Sequence, residues 1–211
     1  MHDPLTAFQI EVTRLFFGLD ASDGFLLAGG AALLAQHLTE RPTYDLDFFT
    51  RQGGTDVSTA LAALEAAAVE RGWQVTRLRE VPTFARLKIV GPDELTVDLA
   101  VDSAPGRPPV VTCLGPSFDP EELAGRKLIA LFDRAEARDF SDVRALAVRY
   151  GKALLMDRAA EVDPGFDSRV LSQMFGALNR IADGKIPVAA TEVPALRAFF
   201  AEWAKELNAS E

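Results

Sequence analysis

Asp45 and Asp47 stand two apart in Tyr44-Asp45-Leu46-Asp47-Phe48-Phe49, where acidic and apolar residues alternate. Side chains alternate faces along a strand, so both carboxylates point one way and Leu46 and Phe48 the other. Two such charges repel by ~1 kcal/mol at 4 Å in water and by ~4 kcal/mol at an effective dielectric of 20. A cation between them removes that cost. Oxygen donors with no histidine nearby suit a hard ion, Mg2+ above all. Upstream, Gly29-Gly30 separate the apolar run Phe25-Leu26-Leu27-Ala28 from the unbroken stretch 31–38. Strand, glycine turn and helix in that order let backbone N–H groups approach a phosphate at a helix start, where the dipole also favours negative charge. The bland alternative is an ordinary strand–turn–helix with solvated aspartates. Each half alone is weak evidence; in this order and spacing, together, they favour the functional reading.

The rest of the chain has to position these groups. Residues 5–17 carry Phe8, Val12, Leu15 and Phe16 at helical spacing and end at Gly18. Asp56 caps a helix that runs to about residue 71, with Val57, Leu61, Leu64 and Ala68 on its buried face. Strand patterns follow at 73–78, 84–90 and 95–101, with Gly91-Pro92-Asp93 turning between the last two. In the third, Leu95, Val97, Leu99 and Val101 share one face, and Thr96, Asp98, Ala100 and Asp102 the other. Asp98, mid-strand and opposite a clean apolar stripe, is the candidate third metal carboxylate. Asp102 at the strand end is the alternative, and a solvated aspartate is the plain one. Arg77, Arg79, Arg86 and Lys88 decorate these strands, as a solvated face or as a nucleic-acid surface.

Residues 104–120 are rich in proline and glycine and mark a boundary between lobes. Beyond it the pattern is helical. Asp119-Pro120-Glu121-Glu122 is a helix start, with proline at its first position and acids in its first turn. Leu128, Leu131, Phe132 and Ala135 form an apolar face, with Lys127, Arg134 and Arg138 as a basic stripe beside it. Arg138-Asp139-Phe140-Ser141-Asp142-Val143 opens a helix to Tyr150, with Asp139 and Asp142 on one face. Two amphipathic stretches, 167–181 and 193–207, carry stripes suited to core packing.

Composition excludes several classes. The 211 residues make one sizeable domain or two small lobes. Hydrophobic content of 48% and a charged fraction of 25% are ordinary for a globular chain. No apolar run is long enough to span a membrane. Met1-His2-Asp3-Pro4 lacks the basic and apolar regions of a secretory signal. Cys113 is the only cysteine, so no internal disulfide forms and a cytoplasmic protein is expected. One cysteine and two histidines do not make a structural zinc site. A net charge of −9 argues against nonspecific coating of nucleic acid, while leaving room for a local basic patch or a basic partner.

A double glycine, a helix and Asp-x-Asp on a strand resemble the nucleotidyltransferase superfamily signature. Gly29-Gly30-Ala31-Ala32-Leu33, Arg41 and Asp45-Leu46-Asp47-Phe48-Phe49 resemble more closely the AbiEii/AbiGii-type toxin nucleotidyltransferases, which include the mycobacterial MenT toxins. Arg126-Lys127-Leu128 to Arg134, then Ala137-Arg138-Asp139-Phe140-x-Asp142, resemble the second lobe of the same family. The chain departs at Ala31, where the family usually has Ser or Thr with a hydroxyl for the nucleotide phosphates.

The resemblance implies an α+β fold: a nucleotidyltransferase-like mixed sheet flanked by helices, followed by a C-terminal helical lobe. Residues 1–115 would be the core lobe and 116–211 the helical lobe that closes the active-site cleft. The implied catalytic set is Asp45, Asp47, Asp98, Lys127 and Asp139, with Asp142 fitting the pattern as well as Asp139. Asp45, Asp47 and Asp98 would hold Mg2+. Gly29, Gly30, the Ala31 position, Arg41 and Lys127 would bind nucleotide. The implied activity is transfer of a nucleoside monophosphate from a nucleoside triphosphate, CTP or another pyrimidine, to the 3′ end of tRNA. The implied partner is a cognate antitoxin, with no membrane involved. Two alternatives remain: nucleotidyl transfer to a small molecule of the aminoglycoside type, and a non-catalytic nucleotide-binding module, to which the missing hydroxyl at Ala31 lends weight.

Overall fold

The computed structural model describes residues 5–209. Met1-His2-Asp3-Pro4, read above for a secretory signal, lie outside the described residues. The chain forms two compact units, one ending at Pro120 and the other beginning at Glu121.

The first unit is built on a seven-stranded mixed sheet in the order β3-β4-β5-β2-β1-β7-β6. The strands are β1 (Leu26–Ala28), β2 (Asp45–Arg51), β3 (Gln74–Val81), β4 (Phe84–Val90), β5 (Glu94–Asp102), β6 (Val110–Thr112) and β7 (Gly115–Ser117). β2 pairs with β5 in parallel and with β1 antiparallel, and β1 pairs with β7 in parallel. One face of the sheet is apolar. Leu46, Phe48, Ala85, Leu87, Ile89, Val97 and Leu99 are all fully buried on it. The other face carries Asp45, Asp47, Arg86 and Asp98, as the two-residue period of the strands requires.

Helix α1 (Ala7–Phe17) starts with a capping box between Thr6 and Gln9. The Gln9 amide also donates to the Thr43 carbonyl at 2.9 Å, tying α1 to the segment that enters β2. Phe16 packs on Phe25 and Phe48 at centroid distances of 5.3 and 4.3 Å. Helix α3 (Val57–Glu70) is capped by Asp56 and lies on β3, β4 and β5. Between them, α2 (Gly29–Ala35) follows β1 directly. The sequence pattern predicts a helix beginning after the glycines; instead both glycines form its first turn, and it ends at Ala35 with His37 in the left-handed region.

The proline- and glycine-rich stretch is not a plain linker. It supplies β6 and β7, and the Ser117 hydroxyl donates to the Leu27 carbonyl at 2.9 Å.

The second unit is helical: α4 (Pro120–Arg134), α5 (Ala137–Tyr150), α6 (Lys152–Val162), α7 (Ser168–Phe175) and α8 (Val193–Ala209). Phe140, Phe175, Phe200 and Trp203 form its aromatic core. α4 and α6 touch at Gly125, where an added Cβ would lie 2.6 Å from the Arg158 backbone. No helix among the described residues is long and apolar enough to cross a membrane.

Candidate active site

The double glycine and the acidic strand meet in space. β1 and β2 are antiparallel neighbours with Ala28 opposite Asp47, so the residue after Ala28 falls beside that carboxylate. Gly29 has φ +60, a conformation that costs an ordinary L-residue about 1–2 kcal/mol. A Cβ added there would lie 1.8 Å from Asp47 Oδ2. The Asp47 carboxylate therefore rests in the space that any side chain at residue 29 would fill. Gly30 does the same for Thr43: an added Cβ would be 2.6 Å from the Thr43 Oγ1 and 3.5 Å from Arg41 Nη2. Thr43 in turn donates its hydroxyl to Asp45 at 2.6 Å. Two glycines thus seat two aspartates, one directly and one through a threonine.

Parallel pairing of β2 with β5 sets Asp98 beside Asp47 and Thr96 beside Asp45. Asp98 is 6% exposed, whereas Asp45 and Asp47 are half-buried. Across the antiparallel β4–β5 pair, Arg86 faces Asp98. Its guanidinium binds the carboxylate with both arms, Nε to Oδ1 at 2.7 Å and Nη2 to Oδ2 at 2.6 Å. Hydrogen bonding to Asp98 raises the Arg86 pKa above its ordinary value against the opposing effect of burial, and attraction from Asp98, Asp47 and Asp45 adds to it. Asp102, the alternative to Asp98, accepts from the Ser103 N–H at 2.7 Å at the end of β5.

These oxygens suit a hard divalent ion, and the cation that faces them in the structure is the Arg86 guanidinium. Among the described residues no three His, Cys, Asp or Glu side chains already converge as a metal cage. Asp98 is turned to Arg86.

Ala31 is fully buried in α2. Arg41 donates to the Pro42 carbonyl at 2.8 Å and stands beside Gly30. In the second unit, Lys127 Nζ lies 3.2 Å from Asp142 and 3.6 Å from Asp139, with both acids fully buried. Asp139 also accepts from Arg134 Nε and Nη2 at 3.0 and 3.1 Å. Burial pushes the Asp139 carboxyl up, but hydrogen bonds from Arg134 and the charges of Lys127, Arg134 and Arg138 prevail and hold it below the usual carboxylate range. The lysine thus joins the two acids that the sequence leaves as alternatives.

The basic residues considered for RNA are largely matched by acids within their own units. Arg77 pairs with Glu65 and Glu80, Lys88 with Glu94, Arg126 with Glu122 and Arg138 with Glu136. Arg79 lies over the Phe84 ring.

Two residues of the site escape the sequence reading. Thr43 carries a detectable signal: it sits two residues before Asp45 and so shares its side of an extended chain. Arg86 reads from the sequence as a solvated or nucleic-acid-facing charge, although the Gly91-Pro92-Asp93 turn fixes its partner.

The sequence profile of the family described as "Nucleotidyl transferase AbiEii toxin, Type IV TA system" matches residues 14–197. No curated protein sequence matches the chain. Among solved structures, JHP933 from Helicobacter pylori is 18% identical with a TM-score of 0.54, over 100% of this chain and 97% of that one. MenT4, a nucleotidyltransferase toxin from Mycobacterium tuberculosis H37Rv, is 15% identical with a TM-score of 0.50, over 95% of this chain and 89% of that one. At these identities the two structures share the fold.

Proposed function

The chain belongs to the AbiEii nucleotidyltransferase toxin family, and from that membership we propose that it transfers a nucleoside monophosphate to the 3′ end of a tRNA with Mg2+ as its metal. The family makes it a nucleotidyltransferase of a toxin–antitoxin system, with a nucleoside triphosphate as substrate and an antitoxin as partner. One observation carries the reading: the Asp47 carboxylate fills the space that a side chain at Gly29 would need. The glycine turn and the acidic strand are therefore parts of one site.

Asp45, Asp47 and Asp98 are the residues proposed to hold the metal. A divalent ion held there would neutralise charge on the triphosphate and make the acceptor hydroxyl a better nucleophile. The protein's own contribution is positioning. Gly29 leaves the room that Asp47 occupies, and Thr43 orients Asp45 through its hydrogen bond, so the acidic pair is in place before substrate arrives. The Gly29-Gly30 backbone, with Arg41 beside it, is proposed to bind the triphosphate. Lys127 and Asp139 enter the reading through the resemblance of their segment to the family's second lobe. The acceptor oxygen forms a bond to the α-phosphorus, the bond to the β-phosphate oxygen breaks, and pyrophosphate leaves.

The tRNA acceptor and a pyrimidine donor, CTP among them, rest on the toxin resemblance. The pairing of the basic side chains removes the support that a bare cationic patch would have given. It favours, as a second reading, a cationic small-molecule acceptor. The test is to incubate the protein with Mg2+, total RNA and each of the four α-labelled nucleoside triphosphates. Label is expected in the tRNA band and is expected to vanish with EDTA. Label on an aminoglycoside in a parallel reaction, with none on RNA, selects the second reading. No label on either acceptor overturns both.

A further inference from the structure

Arg86, Asp98 and Asp47 lie in one row across β4, β5 and β2. The cation in that row belongs to the protein. The Arg86 fork takes both oxygens of Asp98, the most buried of the three carboxylates in the row and its neighbour position. A guanidinium stays charged at any pH a folded protein meets, so it cannot vacate Asp98 by losing a proton. It can only move. It has room to do so: its side chain is 49% exposed, and its guanidinium carbon already lies 5.7 Å from the centroid of the Phe84 ring. Arg79 also lies over that ring, 5.4 Å from its centroid, so the room open to Arg86 is on the solvent side. Asp98 has no such freedom, since it is buried mid-strand between β4 and β2.

From this geometry we infer that Arg86 is a built-in counter-ion of the acidic row, and that its guanidinium must leave Asp98 before a divalent cation can take that carboxylate. The inference rests on the reading of Asp45, Asp47 and Asp98 as the cation site. Arg86 is a positioning residue in it. In the cation-free protein it keeps a buried aspartate paired, whose charge an empty acidic site would otherwise leave uncompensated. When the ion binds, the arginine turns out to solvent, where its fork can meet an anionic phosphate. Cation and arginine therefore compete, and the strength of the Arg86–Asp98 pair sets the apparent affinity of the metal site.

Removing the guanidinium should then tighten cation binding, the opposite of what loss of a merely structural residue would do. The test uses the full chain and Mn2+ alone, with bound ion measured by electron paramagnetic resonance. The proteins are wild type, Arg86→Ala, Arg86→Gln, and Arg86→Gln combined with Asp47→Asn. Glutamine keeps a hydrogen-bond donor toward Asp98 without the charge, so it protects the measurement should the alanine variant fold poorly. The Kd for Mn2+ is expected to fall by about tenfold in Arg86→Gln, the lower end of what one neighbouring charge does to an ionic equilibrium. Adding Asp47→Asn is expected to abolish Mn2+ binding. Equal or weaker binding in Arg86→Gln, with binding still lost through Asp47→Asn, overturns the role of Arg86 and leaves the metal reading standing. Binding that survives Asp47→Asn, or no bound Mn2+ in any of the proteins, overturns both.

Discussion

Asp47 is held by shape. Its carboxylate occupies a space left by a missing Cβ, so the smallest possible change at residue 29 should disturb it. Gly29→Ala puts a methyl group 1.8 Å from the Asp47 oxygen and forces alanine to φ +60. Nucleotide incorporation is expected to fall by about a hundredfold or more, the cost of a misplaced catalytic group, and stability by at least the ~1–2 kcal/mol of the backbone term. Labelled-nucleotide assays and urea unfolding check the two effects separately. Asp47→Asn keeps the shape and removes the charge. It should abolish transfer and leave unfolding in urea unchanged or slightly delayed, because one repulsive charge is gone. Lys127 is different. It is a buried cation between two buried acids, and Lys127→Ala takes its charge from both, while Asp139 keeps Arg134. The expected cost is ~3–5 kcal/mol of folding stability, read in urea. Asp139 gives that cluster a pH signature. Its folded pKa lies below the unfolded value of about 3.9. Its ionised form therefore stabilises the fold fully above that value, and the contribution is lost as pH falls through the lower, folded pKa. Denaturant midpoints between pH 6 and pH 3 should drop more steeply for wild type than for Asp139→Asn.

At the scale of elements, much was legible and the misses have physical causes. The alternation of 84–90 and 95–101 about Gly91-Pro92-Asp93 gives β4 and β5, and a turn of that length sets Val90 opposite Glu94. Counting back along the two strands brings Arg86 to Asp98, so the ion pair was readable from turn length alone. β6 and β7 were not readable. They are three residues each, they sit among prolines, and Ser117 earns its place through a distant partner on β1 rather than through local propensity. Ser117 also accepts from the Gln36 amide at 2.9 Å. Ser117→Ala is expected to lower stability by ~1–3 kcal/mol through the polar groups it leaves buried, measured as a fall in Tm. The basic stripe of Lys127, Arg134 and Arg138 is legible as a face, but periodicity does not say what lies against it. Lys127 and Arg134 point to acids on α5, and that tertiary fact overrides the expectation that lysine and arginine stay solvated.

For the whole molecule, the two units carry one tryptophan each, Trp73 in the first and Trp203 in the second. Both are buried, Trp73 against Phe8 and Trp203 against Phe175. Replacing each in turn with phenylalanine leaves a single reporter of one unit. Millimolar Mg2+ should raise the melting temperature reported by Trp73 by several degrees, since a ligand at a hundred times its Kd stabilises its unit by about 2.7 kcal/mol. The Trp203 signal should move less, because the proposed carboxylates all lie in the first unit. Equal shifts would show that the cation binds elsewhere or that the units melt together.

The strand order also has a meaning in time. Asp47 lies on a strand whose flanks are filled by β1, made before it, and β5, made after α3, β3 and β4. Beyond β1 lies β7, later still. Such long-range pairing forms slowly and only once the distant segment exists. A ribosome making this chain therefore releases the acidic pair early but its third member only with residue 98, and the sheet that holds them closes only after Ser117 has emerged. The sheet that seats the acidic pair is thus complete only once 117 of the 211 residues, a little over half, have been made.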